Sequence, residues 1–371
     1  MGRIERIEVG RVDYPMVGDF KFFKGGARPS VLVRLTDDAG RQGLGQAVPV
    51  ETWTYETTES VESTLRRYLA PAVLGADPAD LEGVHARMER AIRPSFSVGQ
   101  PLAKAAIDLA CHDLWGKQEK KSVAALLGGA PRTEVRLSWT VNSTDLDKAE
   151  KVIAEGLSLG YQSFNIKLGP PQAGRYDLDL VRLVRRMAPE GFHWGDANTS
   201  YDLATARSQA PKLADLGLAA LESPLPPNRL RDYQALRKQG ALPILMDEGI
   251  VSPVEAEEFM ALGMLDGIAM KVARCGGLWP AARIVSLLQR EDLRLFASGL
   301  TDPDLSLAAS IHLFARAGLD LPAALNGPQY LAGRGTGDAS FRATRDRVRL
   351  PEGPGLGIAV AEEALASLTP A

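Results

Sequence analysis

Between Ser163 and Val272 the chain repeats a pattern in which a short apolar run stops on a charged residue. The runs read SFNIKLG, HWGDAN, AALESPL, ILMDEG and IAMKVA, and their charged ends fall at Lys167, Asp196, Glu222, Asp247 and Lys271, in steps of 29, 26, 25 and 24 residues. A step of that length holds one strand, one helix and two loops. The intervening stretches, such as LATARSQAPKLADLG and SPVEAEEFMALG, carry apolar residues at helical spacing, so the unit is a strand followed by a helix. Strands separated by helices pair in parallel through crossovers. Their C-terminal ends then face one opening, which in a closed eight-stranded barrel is where catalytic groups sit.

The same reading extends in both directions. VRLSWTV at 135–141 is expected to open the barrel, followed by a helix over 145–159; LRLFASG, ending at Gly299, supplies strand seven, and AALNGP, ending near Pro328, supplies strand eight. Upstream, IERIEVGRV, SVLVRLTD and GLGQAVPV alternate in the strand manner, with the turn DDAG at 37–40, and read as an antiparallel meander. Helical patterns follow at 56–73, 78–92 and 99–118, and Gly128, Gly129 and Pro131 mark the exit. The predicted organisation is an α+β domain over residues 1–132 and a barrel over 133–329. The tail 330–371 is expected to return to the first domain. Within the meander, PMVGDFKFFKGGARPS places Phe20, Phe22 and Phe23 beside Lys21, Lys24, Gly25 and Gly26. It reads either as a flap over the mouth or as a hairpin loop packed on its own domain.

Three carboxylates and two amines on one mouth would repel badly as bare like charges in a partly desolvated site. A divalent cation resolves this, and a set of three carboxylates without His or Cys suits Mg²⁺, or Mn²⁺, better than zinc. Composition adds exclusions. The chain has 371 residues, 45% of them hydrophobic and 24% charged, with a net charge of −3, so nothing in it attracts nucleic acid or an anionic membrane. The start, MGRIERIEVGRV, has no apolar leader core, and no run is long enough to span a bilayer, so the expected location is cytoplasmic. Cys111 and Cys275 match no zinc or disulfide spacing and are expected to be reduced thiols. A homo-oligomer is expected.

Taken together, the meander-plus-helices domain, the barrel and the acids of GDAN, LESPL and MDEG resemble the enolase superfamily. Lys167 on strand two and Lys271 in MKVARCGG on strand six resemble its muconate-lactonizing subgroup. The resemblance implies an α/β fold, a modified TIM barrel of (β/α)7β type with an N-terminal α+β capping domain. It also implies that Asp196, Glu222 and Asp247 bind the metal and that the metal grips a small carboxylate substrate. Lys167 and Lys271 would then be general base and acid on opposite faces of an enediolate. A lysine in that role has to be partly neutral near pH 7, and burial together with a nearby cation pushes it that way.

Five further positions are implicated. Asn165 stands where relatives more often carry a second lysine, two residues before the base and on the same strand face. Phe23 and Lys24 of the glycine-flanked segment are candidate substrate contacts. Strand eight ends in Ala324-Leu325-Asn326 rather than the Asp-x-Asp of dipeptide epimerases, and LNGPQYL is similar to the cycloisomerase branch. Asp302 occupies a place where relatives often have glutamate, but Asp302-Pro303 also reads as an N-cap followed by proline at the first helical position. His85, His112, His193 and His312 build no alternative site, and His193 should point away from Asp196 toward the helices. Two other activities fit the same residues in part: a lyase such as a syn-dehydratase on the same enediolate, and a metal-free Schiff-base aldolase using Lys167 or Lys271.

Overall fold

The structure, a computed structural model, describes residues 2–17, 20, 26–169, 174–331 and 343–371. Strands β1 (Ile4–Pro15), β2 (Ala27–Asp37) and β3 (Gln42–Ala47) form the antiparallel meander, closed at Asp37–Arg41 by the DDAG turn. Helices Leu81–Ala91 and Pro101–Glu119 follow a helical run that starts at Thr58 and ends at Val73. The helix Pro101–Glu119 lies so close to β3 that a Cβ at Gly45 would meet the Ala106 carbonyl at 2.0 Å, which only glycine permits. Its first amides, Leu102 N and Ala103 N, donate to the buried Glu56 carboxylate.

The repeating unit gives seven parallel strands: β5 (Trp139–Val141), β6 (Phe164–Lys167), β7 (His193–Asp196), β8 (Leu221–Glu222), β9 (Ile244–Met246), β10 (Gly267–Met270) and β11 (Arg294–Ala297), paired in that order. Two single-residue parallel bridges close the ring, Ser298 with Ala324 and Leu137 with Ala323. The expected eighth strand is therefore reduced to a two-residue link. The expected first strand is split: β4 (Glu134–Arg136) pairs antiparallel with β12 (Arg347–Arg349), and only β5 joins the barrel. The last strand, β13 (Thr369–Pro370), pairs with β1. This is a modified TIM barrel of (β/α)7β type with an antiparallel-sheet cap.

Inside the ring, Trp194, Ala220, Leu245, Ala269, Phe296 and Ala324 pack into an apolar plug beneath the C-terminal ends of the strands. Barrel interiors are filled by such layers rather than open. Among the described residues no helix is long and apolar enough to cross a membrane. Cys111 and Cys275 are both buried free thiols.

Candidate active site

Strand alternation aims the mouth residues. On β6, Phe164 and Ile166 turn outward into the helix-facing core, so Asn165 and Lys167 turn inward. Lys167 pairs in register with Asp196 on β7, and Asp196 with Glu222 on β8. Asp247 and Lys271 directly follow β9 and β10. The five residues thus occupy five consecutive strands, and Lys167 and Lys271 lie four strands apart in a ring of eight, across the barrel from each other.

The contacts are specific. Lys167 Nζ donates to Asp196 Oδ2 at 2.5 Å. Lys271 Nζ donates to Ser298 Oγ at 2.5 Å and stands 2.9 Å from Asp247 Oδ2, whose other oxygen accepts from Arg274 Nη1. Trp194 Nε1 donates to Glu222 Oε2 at 2.7 Å. Glu248 Oε1 accepts from Trp53 Nε1 at 3.1 Å and Asn198 Nδ2 at 3.0 Å. The Trp53 ring centroid lies 5.0 Å from Lys271 Nζ and the Phe20 centroid 5.9 Å from Lys167 Nζ, so an aromatic ring stands by each amine. Phe20 packs in turn on Trp53 and Tyr330.

The acids are expensive where they stand. Burial, followed by the charges of Asp196 and Asp247, pushes the Glu222 carboxyl well above its usual range. Burial lifts Asp247 to about 6 against the opposing pull of Arg274 and Lys271. For Glu248 burial is again the largest influence, but Arg274, Ser223 and Asn198 together hold it down at about 2. Burial disfavours the Lys167 ammonium, as anticipated, yet the charges of Asp196 and Glu222 and the Asp196 hydrogen bond outweigh it and hold the lysine above its usual range. Desolvation alone therefore does not give a neutral Lys167.

Among the described residues no three acid, His or Cys side chains are drawn together around one point. Asp196 leans on Lys167, and Asp247 on Lys271 and Arg274. The donor set nevertheless fits a hard cation. Glu222 Oε1 is a buried oxygen without a hydrogen-bond donor, Asp247 Oδ2 has only the Lys271 ammonium beside it, and all three side chains offer only carboxylate oxygen.

The remaining predicted positions fall as follows. Asn165 is buried, and both ends of its carboxamide lack a partner; the Thr140 hydroxyl, on the neighbouring position of β5, is likewise unpartnered. Asn326 is buried with an unpartnered Oδ1 and precedes the short helix Gly327–Tyr330. Phe23 and Lys24 lie outside the described residues. Asp302 is not a helix cap: the helix Asp304–Ala317 begins after Pro303, which makes no side-chain cap bond. The Asp302 carboxylate instead accepts from Ser306 Oγ at 2.8 Å and Leu300 N at 3.2 Å, facing the buried Arg28 charge. All four histidines are buried; His193 accepts from Phe164 N and donates to Ala188 O, away from the mouth.

Trp53, Asn198, Ser223, Glu248, Arg274 and Ser298 complete the site without having been singled out in the sequence. Positive φ at Asn198, Thr199, Ser223 and Thr301 marks the loops after β7, β8 and β11, where strained backbone often accompanies a working site.

Residues 146–364 match the family described as enolase C-terminal domain-like, and residues 22–128 match the mandelate racemase / muconate lactonizing enzyme N-terminal domain. Muconate cycloisomerase 1 of Rhodococcus opacus is 29% identical over 375 aligned residues, covering 99% of this chain and 98% of its own. The N-succinyl-L-Arg/Lys racemase of Bacillus cereus is 28% identical over 347 aligned residues, covering 92% of this chain and 90% of its own. A crystal structure of an N-succinyl Arg/Lys racemase from Bacillus cereus superposes with a TM-score of 0.91 at 26% identity, over 99% of this chain and 98% of the other. The chain belongs to the mandelate racemase / muconate lactonizing enzyme family of the enolase superfamily and is one of its isomerases.

Proposed function

We propose that the protein is a divalent-metal-dependent isomerase that moves the hydrogen on the carbon next to a substrate carboxylate, by racemisation, epimerisation or cycloisomerisation. The observation that carries this reading is the placement of Lys167 and Lys271 across the barrel, with Asp196, Glu222 and Asp247 on the three strands between them. Mg²⁺ or Mn²⁺ held by those acids would supply positive charge against the second negative charge that appears when a carbon beside a carboxylate loses its proton.

The chain's own groups do the rest. A neutral lysine on one side accepts the α-hydrogen as a proton, and the ammonium opposite delivers one to the other face. Lys167 has first to lose the proton that Asp196 holds on it. Phe20 and Trp53 stand by the two amines and keep water from them, which strengthens every charge interaction inside. Asn165 offers an uncharged donor and acceptor at the floor of the mouth.

Muconate and N-succinyl amino acids, named for the two relatives, are the first substrates to try. Protein treated with a chelator should lose all turnover and regain it with Mg²⁺ or Mn²⁺. Incubation with α-chiral carboxylic acids in D₂O should place deuterium on the α-carbon, read by NMR. Full turnover in metal-free protein would overturn the proposal.

A further inference from the structure

The Lys271 side of the mouth is fastened to the capping domain at a point the chemistry above does not use. Asp108, in the middle of the helix Pro101–Glu119, is fully buried, and its carboxylate reaches across to the barrel helix Leu278–Arg290. Oδ1 accepts from Leu278 N at 2.5 Å and Oδ2 from Trp279 N at 3.3 Å. That helix has no side-chain cap of its own; its N-cap is Gly277. At Gly277, φ is 112° and a Cβ would lie 2.3 Å from Asp108 Oδ1, so the missing side chain makes room for the foreign carboxylate.

The carboxylate is itself held. His85 Nε2 lies 2.8 Å from Oδ2 with its ring stacked on Trp279, and His112 Nδ1 lies 3.2 Å from Oδ1. Burial would raise this carboxyl, but the His112 charge and the hydrogen bonds from His112 and His85 outweigh it and keep Asp108 well below the usual range. An anion is what the positive end of a helix favours.

Between this cap and the site lies a turn with little slack. Cys275 N donates to Lys271 O and Gly277 N to Val272 O, both at 3.1 Å. Ala273, in the same turn, belongs to the capping domain's apolar core. Lys271 and Arg274, also in it, both hold Asp247. The loop after Lys167 is fastened differently, within the barrel, by Asp177 accepting from Gly169 N at 3.0 Å. We propose that Asp108 is a positioning residue for Lys271: a capping-domain anchor that fixes the Lys271–Gly277 turn and so aims one of the two lysines while leaving the other untouched. This rests on the two-lysine reading.

Three variants test it: Asp108→Ala, Asp108→Asn, which keeps one acceptor for Leu278 N, and Glu8→Gln, at a buried capping-domain carboxylate on β1 that pairs with Arg34 of β2. The first readout is amide hydrogen–deuterium exchange over residues 271–280, which needs no substrate. Asp108→Ala should speed it and Glu8→Gln should not. The second is α-deuteration of each enantiomer of an N-succinyl amino acid in D₂O. Exchange on the Lys271 face should fall on the order of 10²-fold in Asp108→Ala, the cost of a misplaced catalytic group. It should recover in part in Asp108→Asn, while exchange on the Lys167 face changes little. Should Asp108→Ala fail to fold, the same bias in weaker form is expected of Asp108→Asn. Unchanged amide exchange, or equal loss on both faces, overturns the proposal. Wild-type protein that isomerises a substrate without exchanging its α-hydrogen with solvent would overturn the two-lysine reading and this proposal with it, and faster amide exchange would then mark Asp108 as a structural cap only.

Discussion

Lys167 and Lys271 stand across one mouth, yet the chain surrounds them differently. Lys167 has Asp196 as its hydrogen-bond partner, with Glu222 and Asp247 within electrostatic reach, and this anionic company overcomes the pull of burial toward the neutral amine. Lys271 competes for Asp247 with the permanently charged Arg274 guanidinium and gives a hydrogen bond to the neutral Ser298 hydroxyl. The backbone differs too: Lys167 ends a strand, whereas Lys271 opens a turn packed into the capping domain. Identical side chains in one cavity therefore have different company: each meets a carboxylate, but only that of Lys271 is shared with an arginine. Removing either one should have consequences that tell the two sides apart.

The largest effect is on turnover. Lys167→Ala and Lys271→Ala should each lower it by about 10²- to 10⁴-fold, the usual loss for a general acid or base, measured as kcat on any substrate that the wild-type protein isomerises. If Lys167→Ala leaves turnover intact, Lys167 is only an ion-pair partner of Asp196.

Stability should separate the two variants. Lys167→Ala takes from buried Asp196 its ion-pair partner, which costs about 3 kcal/mol by the rule for broken buried pairs, whereas Lys271→Ala leaves Asp247 still held by Arg274. Urea midpoints of chelator-treated protein should therefore fall further for Lys167→Ala. Equal midpoints would remove the asymmetry.

A gentler change sharpens the same contrast. Asn165→Lys adds a like charge one pleat below Lys167, on the same face, and so should lower the Lys167 pKa and move the acidic limb of the pH–rate profile down by about one unit. The groups at Lys271 lie four strands around the ring and should respond less. An unmoved limb would mean that Lys167 does not set it.

The smallest effect on turnover belongs to a residue remote from both amines. Burial, opposed by the hydrogen bond to Leu356 O, depresses the His312 pKa from 6.5 to about 4. A base whose folded pKa is depressed contributes stability that is present above pH 6.5 and lost as pH falls toward 4. The loss should amount to about 3 kcal/mol. Comparing urea midpoints at neutral and acid pH in wild type and His312→Gln checks it: the variant should lose less.

Much of this molecule is legible in its sequence, and the exceptions have physical causes. The strands from β6 to β10 stand out because both of their faces are buried, so they read as apolar runs that break only where a side chain reaches the mouth. The eighth strand shrinks to Ala323 and Ala324 because Pro322 and Pro328 bracket it. Asp302 looks like a helix cap by spacing, but the turn at Leu300 and the buried Arg28 claim its carboxylate first. Trp53 carries no local signal at all: it comes from the capping domain and meets Glu248, 195 residues away in sequence. Arg274 joins Asp247 only through the turn after β10, and Glu248 follows the end of β9, where strand alternation no longer says which way a side chain points.

The central claim is that the two lysines work from opposite faces, and the most direct measurement of it is enantiomer-resolved α-hydrogen exchange. Each enantiomer of an α-chiral substrate is incubated in D₂O with Mg²⁺ and either Lys167→Ala or Lys271→Ala, and deuterium at the α-carbon is followed by NMR. The prediction is that Lys271→Ala still exchanges one enantiomer, that Lys167→Ala still exchanges the other, and that neither interconverts them at an appreciable rate. If both variants exchange the same enantiomer, or if one lysine can be removed with exchange of both intact, the two amines do not flank the substrate and the account is wrong.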